Sequence, residues 1–165
     1  MQIREARPGD EEELVRLFTT LDEETSFMLL EPGERKTSVE GQAELIRNFS
    51  ESGFQALFVA CEDVSLAGFI GGSGGTANRD RRTIHIAMGV LASHWGKSIG
   101  RQLLQRFESW AKPNGFHRIE LTVMENNERA KRLYEKSGFE YEGTRRDSLK
   151  VEGKYVNERY MAKLI

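Results

Sequence analysis

One stretch restricts the possible folds more than any other: IHIAMGVLASHWGKSIGRQLL, Ile84 to Leu104. It reads as a strand, a short glycine-bearing loop and an amphipathic helix with Ile99, Leu103, Leu104, Phe107 and Trp110 on its apolar side. Such a unit needs a sheet to join and a core to cover, and it leaves a helix N-terminus facing outward. Gly96 and Gly100 let the backbone approach a ligand without Cβ obstruction. The N–H groups of Lys97 to Arg101 converge where the helix dipole favours an anion, with Lys97 and Arg101 adding charge. Taken alone, the same pattern also describes an ordinary strand–turn–helix with solvated bases.

The rest of the chain supplies the sheet. Gln2 to Arg7 alternates as a short strand, and Pro8, Gly9 and Asp10 precede a helix with Leu14, Val15, Leu17, Phe18 and Leu21 at helical spacing and Glu11 to Glu13 in its first turn. A second helix covers roughly Val39 to Ser50. Gln55 to Glu62 and Ser65 to Gly75 predict a hairpin, with the glycines from Gly71 onward read as bulge and tip residues. Arg82 to Val90 is a third run; His117 to Met124 alternates at Ile119, Leu121 and Val123. Asn126 and Asn127 cap a helix ending before Gly138, and Phe139 to Thr144 and Lys154 to Leu164 predict two final strands. The expectation is α+β: about seven mostly antiparallel strands with about four helices, in a single domain over residues 1–165.

Charge and composition remove several classes. With 24 Lys and Arg against 26 Asp and Glu, the net charge of −2 argues against a nucleic-acid partner held by counterion release. No run approaches the roughly 20 apolar residues of a membrane span. One cysteine, Cys61, and a charged N-terminus point to the cytoplasm, with Cys61 as core filler. Gly72 to Ala77 fits a loose dinucleotide-binding pattern but leads into a strand, not a helix, and Gly96-Lys97-Ser98 lacks the earlier glycine of a Walker loop because Leu91 stands there. The spacing of His85, His94 and His117 predicts no metal site.

The second informative block is LTVMENNERAKRLYEKSGF, Leu121 to Phe139. Together with the first it resembles the Gcn5-related N-acetyltransferase (GNAT) superfamily. Asn127, Ala130, Leu133, Tyr134, Gly138 and Phe139 fit that family's pattern NxxAxxLYxxxGF without a gap. Trp95 to Gly100, WGKSIG, is similar to its pyrophosphate loop, with two departures: Trp95 replaces Gln or Arg, and Ser98 replaces a glycine. A positive φ at Ser98 would cost more than at glycine, while its N–H donor survives.

The resemblance implies two central parallel strands, ending at Val90 and Met124, that splay into a V-shaped slot for acetyl-CoA. Met88, Gly89 and Val90 would offer backbone groups to the pantetheine arm, with an N–H near Gly89 or Val90 polarising the thioester carbonyl. Gly96, Lys97, Ser98, Ile99, Gly100 and Arg101 would hold the pyrophosphate, Asn127 would hydrogen-bond the pantetheine, and Tyr134 would protonate the departing sulfur as catalytic acid. The implied reaction is direct acetyl transfer to a primary amine in a ternary complex. A non-catalytic acetyl-CoA-binding module of the same fold is the alternative.

No general base follows from the residues: His85, Glu24, Glu31 and a water chain stay open. The acceptor, a small-molecule or peptide amine, would lie against the first two helices and the last hairpin. There the acidic Asp22, Glu23, Glu24, Glu31 and Glu34 read first as a solvated face, with attraction of a cationic amine as the alternative. Phe27 to Leu30 read first as core, with a pocket wall or a partner contact as the alternative, since four successive apolar residues cannot share one helix side. A homodimer paired through C-terminal strand edges is a further expectation.

Overall fold

The computed structural model describes residues 1–165. In chain order the elements are β1 (Gln2–Glu5), α1 (Glu11–Glu24), α2 (Val39–Glu51), β2 (Gln55–Glu62), β3 (Ser65–Gly74) and β4 (Thr83–Val90). They continue with α3 (Ile99–Ala111), β5 (Arg118–Met124), α4 (Glu128–Lys136), β6 (Glu140–Val151) and β7 (Lys154–Leu164). The strands form one sheet in the order β1-β2-β3-β4-β5-β7-β6. Every pairing is antiparallel except β4 with β5. That parallel pairing is short: Thr83, Ile84 and His85 face Arg118, Ile119 and Glu120. Beyond these residues the two strands part, so the predicted V is present.

Alternation along the strands divides the apolar residues between two cores. Ile84 and Ile86 of β4 and Ile119, Leu121 and Val123 of β5 pack with Leu103 and Phe107 of α3, Tyr134 of α4 and Met161 of β7. On the opposite face Leu14, Leu17, Phe18 and Leu21 of α1 and Ile46 of α2 cover Leu57, Val59 and Cys61 of β2 and Phe69 of β3. Burying each large side chain of this kind contributes about 1.5–3 kcal/mol, so the two layers hold the sheet against the entropy of ordering it. Cys61 is buried in the second core, as its apolar strand predicts.

The glycine run of β3 has a different reason from the one read in the sequence. The β2–β3 register shift lies at Ala60 and Cys61, not among these glycines. Instead, a Cβ on residue 72 would stand 2.5 Å from Cζ of Phe107 and 3.0 Å from Ile86 Cγ2, and one on residue 74 would stand 2.7 Å from Phe116. The small residues let α3 sit directly on the sheet. The second departure is β6, which runs to Val151 and not to Thr144. Its polar tail, TRRDSLK, carries no alternation because β6 is an edge strand; backbone pairing to β7, broken by two register shifts, defines it.

Candidate active site

The slot opens between Ile86–Val90 of β4 and Leu121–Met124 of β5, and the loop after β4 closes its end. In that loop Gly96 has φ +77° and Ser98 has φ 61° and ψ 14°, left-handed at both positions. For serine this conformation costs roughly 1–2 kcal/mol, as the departure from glycine predicts. The turn delivers a run of donors. Every N–H from Gly96 to Arg101 lacks an acceptor within the chain, and Ser98 provides no side-chain cap to α3. Unpaired amides at a helix start, beside Lys97 and Arg101, are chemically suited to a phosphate-bearing group. Gly100 has a packing role too, since a Cβ there would stand 2.8 Å from Leu133 Cδ2 and 3.4 Å from Met88 Cε. It brings α3 and α4 together where the slot begins.

Trp95, the second departure, is anchored at both ends. Its indole N–H donates to the Val90 carbonyl at 2.8 Å, so one backbone group expected to be free for the pantetheine arm already has a partner. Its ring lies under the Arg129 guanidinium, 3.2 Å from the ring centroid. This cation–π contact joins the loop to the first turn of α4. Sequence reasoning missed Arg129, which carries no periodic signal and gains its place only when α3 and α4 meet.

Asn127 and Tyr134 lie on α4 as expected, with their atoms divided between fold and site. Asn127 is the N-cap, its Oδ1 accepting from Ala130 N–H at 3.2 Å, which leaves its amide NH₂ to donate outward. Tyr134 is buried, its ring 5.7 Å from that of Phe139. Burial pushes its phenol up from the ordinary value, and no hydrogen bond within the chain offsets that. A buried tyrosine usually finds a carbonyl partner; this one keeps its hydroxyl uncommitted.

On the other face His85 is exposed while Ile84 is in the core, as strand alternation requires. His85 Nδ1 lies 4.0 Å from Glu120, which with Glu142 flanks Arg118. Glu24 accepts from Ala92 N–H at 2.7 Å and so ties the end of α1 to the loop after β4. The acidic face is smaller than the sequence predicts: Asp22 is 2% exposed and paired with Arg35 at 2.6 Å. Nor are Phe27 to Leu30 all core. Phe27 and Leu29 are exposed, and only Met28 packs against the α1–α2 core, because the segment has no helical face to bury. A groove of about 490 Å³ also runs between α3 and α4, with Arg101 and Lys136 among its lining. Lys112 and Lys163 in that groove are both paired with Glu108.

Known proteins share this arrangement. The profile of the acetyltransferase (GNAT) family matches residues 14–139. Over 113 residues the chain is 33% identical to the L-amino acid N-acetyltransferase AaaT of Escherichia coli (strain K12). That match takes in 64% of this chain and 66% of the relative, just under two thirds of its length. The acetyltransferase of GNAT family from Streptococcus pneumoniae superposes with a TM-score of 0.95 at 28% identity, covering 99% of each chain. A GNAT superfamily phosphinothricin acetyltransferase from Sinorhizobium meliloti, solved in complex with acetyl-CoA, has the same fold. Its TM-score is 0.86 at 17% identity, over 99% of this chain and 88% of that one. The matched span takes in the parting strands, the loop of free amides and α4, and the chain belongs to the acetyltransferase (GNAT) family.

Proposed function

We propose that the protein transfers an acetyl group from acetyl-CoA to the primary amine of a small molecule or peptide, by direct attack within a ternary complex. The observation that carries this reading is the loop from Gly96 to Arg101, whose amides have no acceptor in the chain and open onto the end of the slot. The loop amides take the pyrophosphate, with Lys97 and Arg101 beside it. Arg101 and Lys136, neither paired with a carboxylate, extend positive charge along the α3–α4 groove toward the nucleotide end. The edge of β4 that faces the slot at Met88, Gly89 and Val90 pairs with the pantetheine arm through the groups other than the Val90 carbonyl, which Trp95 holds, and one of its N–H groups polarises the thioester carbonyl. Asn127 donates its side-chain NH₂ to the same arm.

Tyr134 stays a phenol at neutral pH, so its hydroxyl has a proton to offer the departing sulfur. Its raised pKa weakens it as an acid, which favours hydrogen-bond donation to the developing thiolate over early proton transfer. α-Amino acids head the list of acceptors, because the relative AaaT is an L-amino acid N-acetyltransferase. Two measurements test the proposal: calorimetry with acetyl-CoA and CoA, and acetyl-CoA consumption over amino acids, polyamines, amino sugars and short peptides. Saturable binding and turnover with at least one amine class are expected. Binding without turnover on every class would make the protein a non-catalytic acetyl-CoA-binding module, and no association with either ligand would overturn both readings.

A further inference from the structure

The face of the sheet opposite α3 and α4 holds a cluster outside the slot residues. On that face α1 and α2 pack on β2 and β3. Residues paired across antiparallel strands share a face, and Leu121 and Val123 point into the α3 core. Met124, its partner Glu158 on β7 and Arg145 on β6 therefore stand on the opposite face, at the open end of the V. Glu158 is 8% exposed. Its Oε1 accepts from Ser148 Oγ at 2.9 Å and from Arg145 Nη1 at 3.3 Å, while Oε2 has no partner in the chain. Oε2 is not sealed from solvent, so this largely buried carboxylate keeps one oxygen accessible to a ligand at the open end of the V.

The backbone is distorted to build this cluster. Residues 145 and 148 would face opposite sides of a regular strand. The β6–β7 register shift between Arg145 and Leu149 sets both against Glu158. Asp147, inside the bulge, has φ 50°, a strained value for a non-glycine residue. Its N–H donates to Asn157 Oδ1 at 2.8 Å, and Asn157 Nδ2 donates to Glu125 Oε2 at 3.0 Å. The Glu125 N–H returns to the Asn157 carbonyl at 2.9 Å. Glu125 directly follows β5 and lies two residues before Asn127, so the bulge is fastened to the turn that starts α4. Bulges of this kind re-aim side chains beside active sites.

We infer that Glu158 and Arg145 form the acceptor subsite. Glu158 Oε2 receives the acceptor's ammonium, which gives up one proton to solvent before the free amine attacks, and Arg145, whose side chain is about half exposed and bonds Glu158 through Nη1 alone, receives an acid group. The pair selects short zwitterions carrying both groups, α-amino acids above all, over amines lacking the acid. The inference rests on the acetyl-transfer reading and names its acceptor residues. Glu158 is a binding residue in this assignment, and Ser148 and the Asn157–Glu125 bonds are positioning groups.

The test is steady-state kinetics on the whole protein with two acceptor series, amino acids and the amines left by removing their carboxylate, alongside calorimetry with acetyl-CoA. Glu158→Gln is expected to raise acceptor KM at least fivefold in both series while leaving the acetyl-CoA Kd within twofold. Arg145→Gln is expected to raise KM at least fivefold for the amino acids and less than that for the decarboxylated amines. Changes below fivefold in both variants, or an Arg145→Gln effect equal in the two series, overturn the subsite. If Glu158→Gln does not fold, Arg145→Gln decides alone, since its side chain is about half exposed. A wild-type protein that neither binds acetyl-CoA nor acetylates any amine overturns the proposed function and this inference with it. Turnover with unmoved KM values overturns the inference only.

Discussion

Replacing Tyr134 by phenylalanine separates the site from the fold. The ring stays, with its packing against Phe139 and its place in the α3–α4 core. What leaves is a hydroxyl that has no partner in the chain and is not sealed from solvent, so its removal breaks no bond of the fold. The variant is expected to be as stable as wild type or more stable by up to about 1 kcal/mol, a rise in Tm of about 0–4 °C for a chain of this length. Catalysis moves the other way. A positioned acid contributes about 10²–10⁴-fold, and the raised pKa of this phenol places it near the lower end, so kcat falls by about 10²-fold, or ~2.7 kcal/mol. Acetyl-CoA affinity stays within about twofold, because the loop amides are untouched. Alkaline unfolding supplies an independent check. A folded pKa above the unfolded value near 10 gives stability that is full below that pH and declines as pH rises beyond it. Wild type should therefore lose stability above pH ~10 more steeply than the variant in denaturant titrations. Full turnover at saturating substrates would remove the hydroxyl from the chemistry; a Tm lowered by more than about 4 °C would show that it serves the fold.

Three further outcomes follow from the packing and the charges. Gly72→Ala drives a Cβ against the fully buried Phe107, itself hemmed in by Trp110 at 5.4 Å, and should destabilise by about 2–3 kcal/mol. Gly53→Ala, with no atom within 4 Å of the added carbon, is the control, and equal chemical denaturation midpoints would refute the close-approach argument. Ser98→Gly relieves roughly 1–2 kcal/mol of left-handed strain and adds about 0.5–1 kcal/mol of unfolded-state freedom, leaving a net gain near 1 kcal/mol or less. CoA affinity should stay within about threefold, since the amides keep their places; a tenfold loss by calorimetry would mean that the hydroxyl itself binds. Burial alone would raise the Asp10 carboxyl, but the Arg4 hydrogen bonds at 2.7 and 2.8 Å and the Arg7 N–H hold it below its ordinary range. Its contribution is present above the unfolded value near 3.8 and lost as pH falls through the lower folded one, so acid unfolding should be shallower in Asp10→Asn than in wild type.

Local chemistry explains which parts were legible from residues alone. Alternation in β5 and helical spacing in α3 are properties of short segments, so their existence, faces and approximate ends could be read directly. The same holds for the Asn127 cap, where a single residue type meets a local conformational demand, while the positive φ at Ser98 followed only from the family's glycine at that loop position. The glycines of β3 are visible in the sequence but their reason is not, because the atom that needs the space at residue 72 belongs to Phe107, on another element. Hydrophobicity alone favours a core place for Phe27 and Leu29, and no neighbouring element covers them.

The acceptor side shows the limit most clearly. Residues 145–149 and 157–158 offer no period and no motif, and Arg145, Ser148 and Glu158 come together only through a bulge in an edge strand. Arg129 meets Trp95 only because α4 packs beside α3. The sequence by itself determined the strand–loop–helix unit, the donor-rich turn and the α4 motif, since each depends on interactions between residues a few positions apart. Tertiary structure decided which backbone groups remain unpaired, which hydroxyl is left without a partner and which carboxylate is buried, because those depend on what the rest of the chain lays against them.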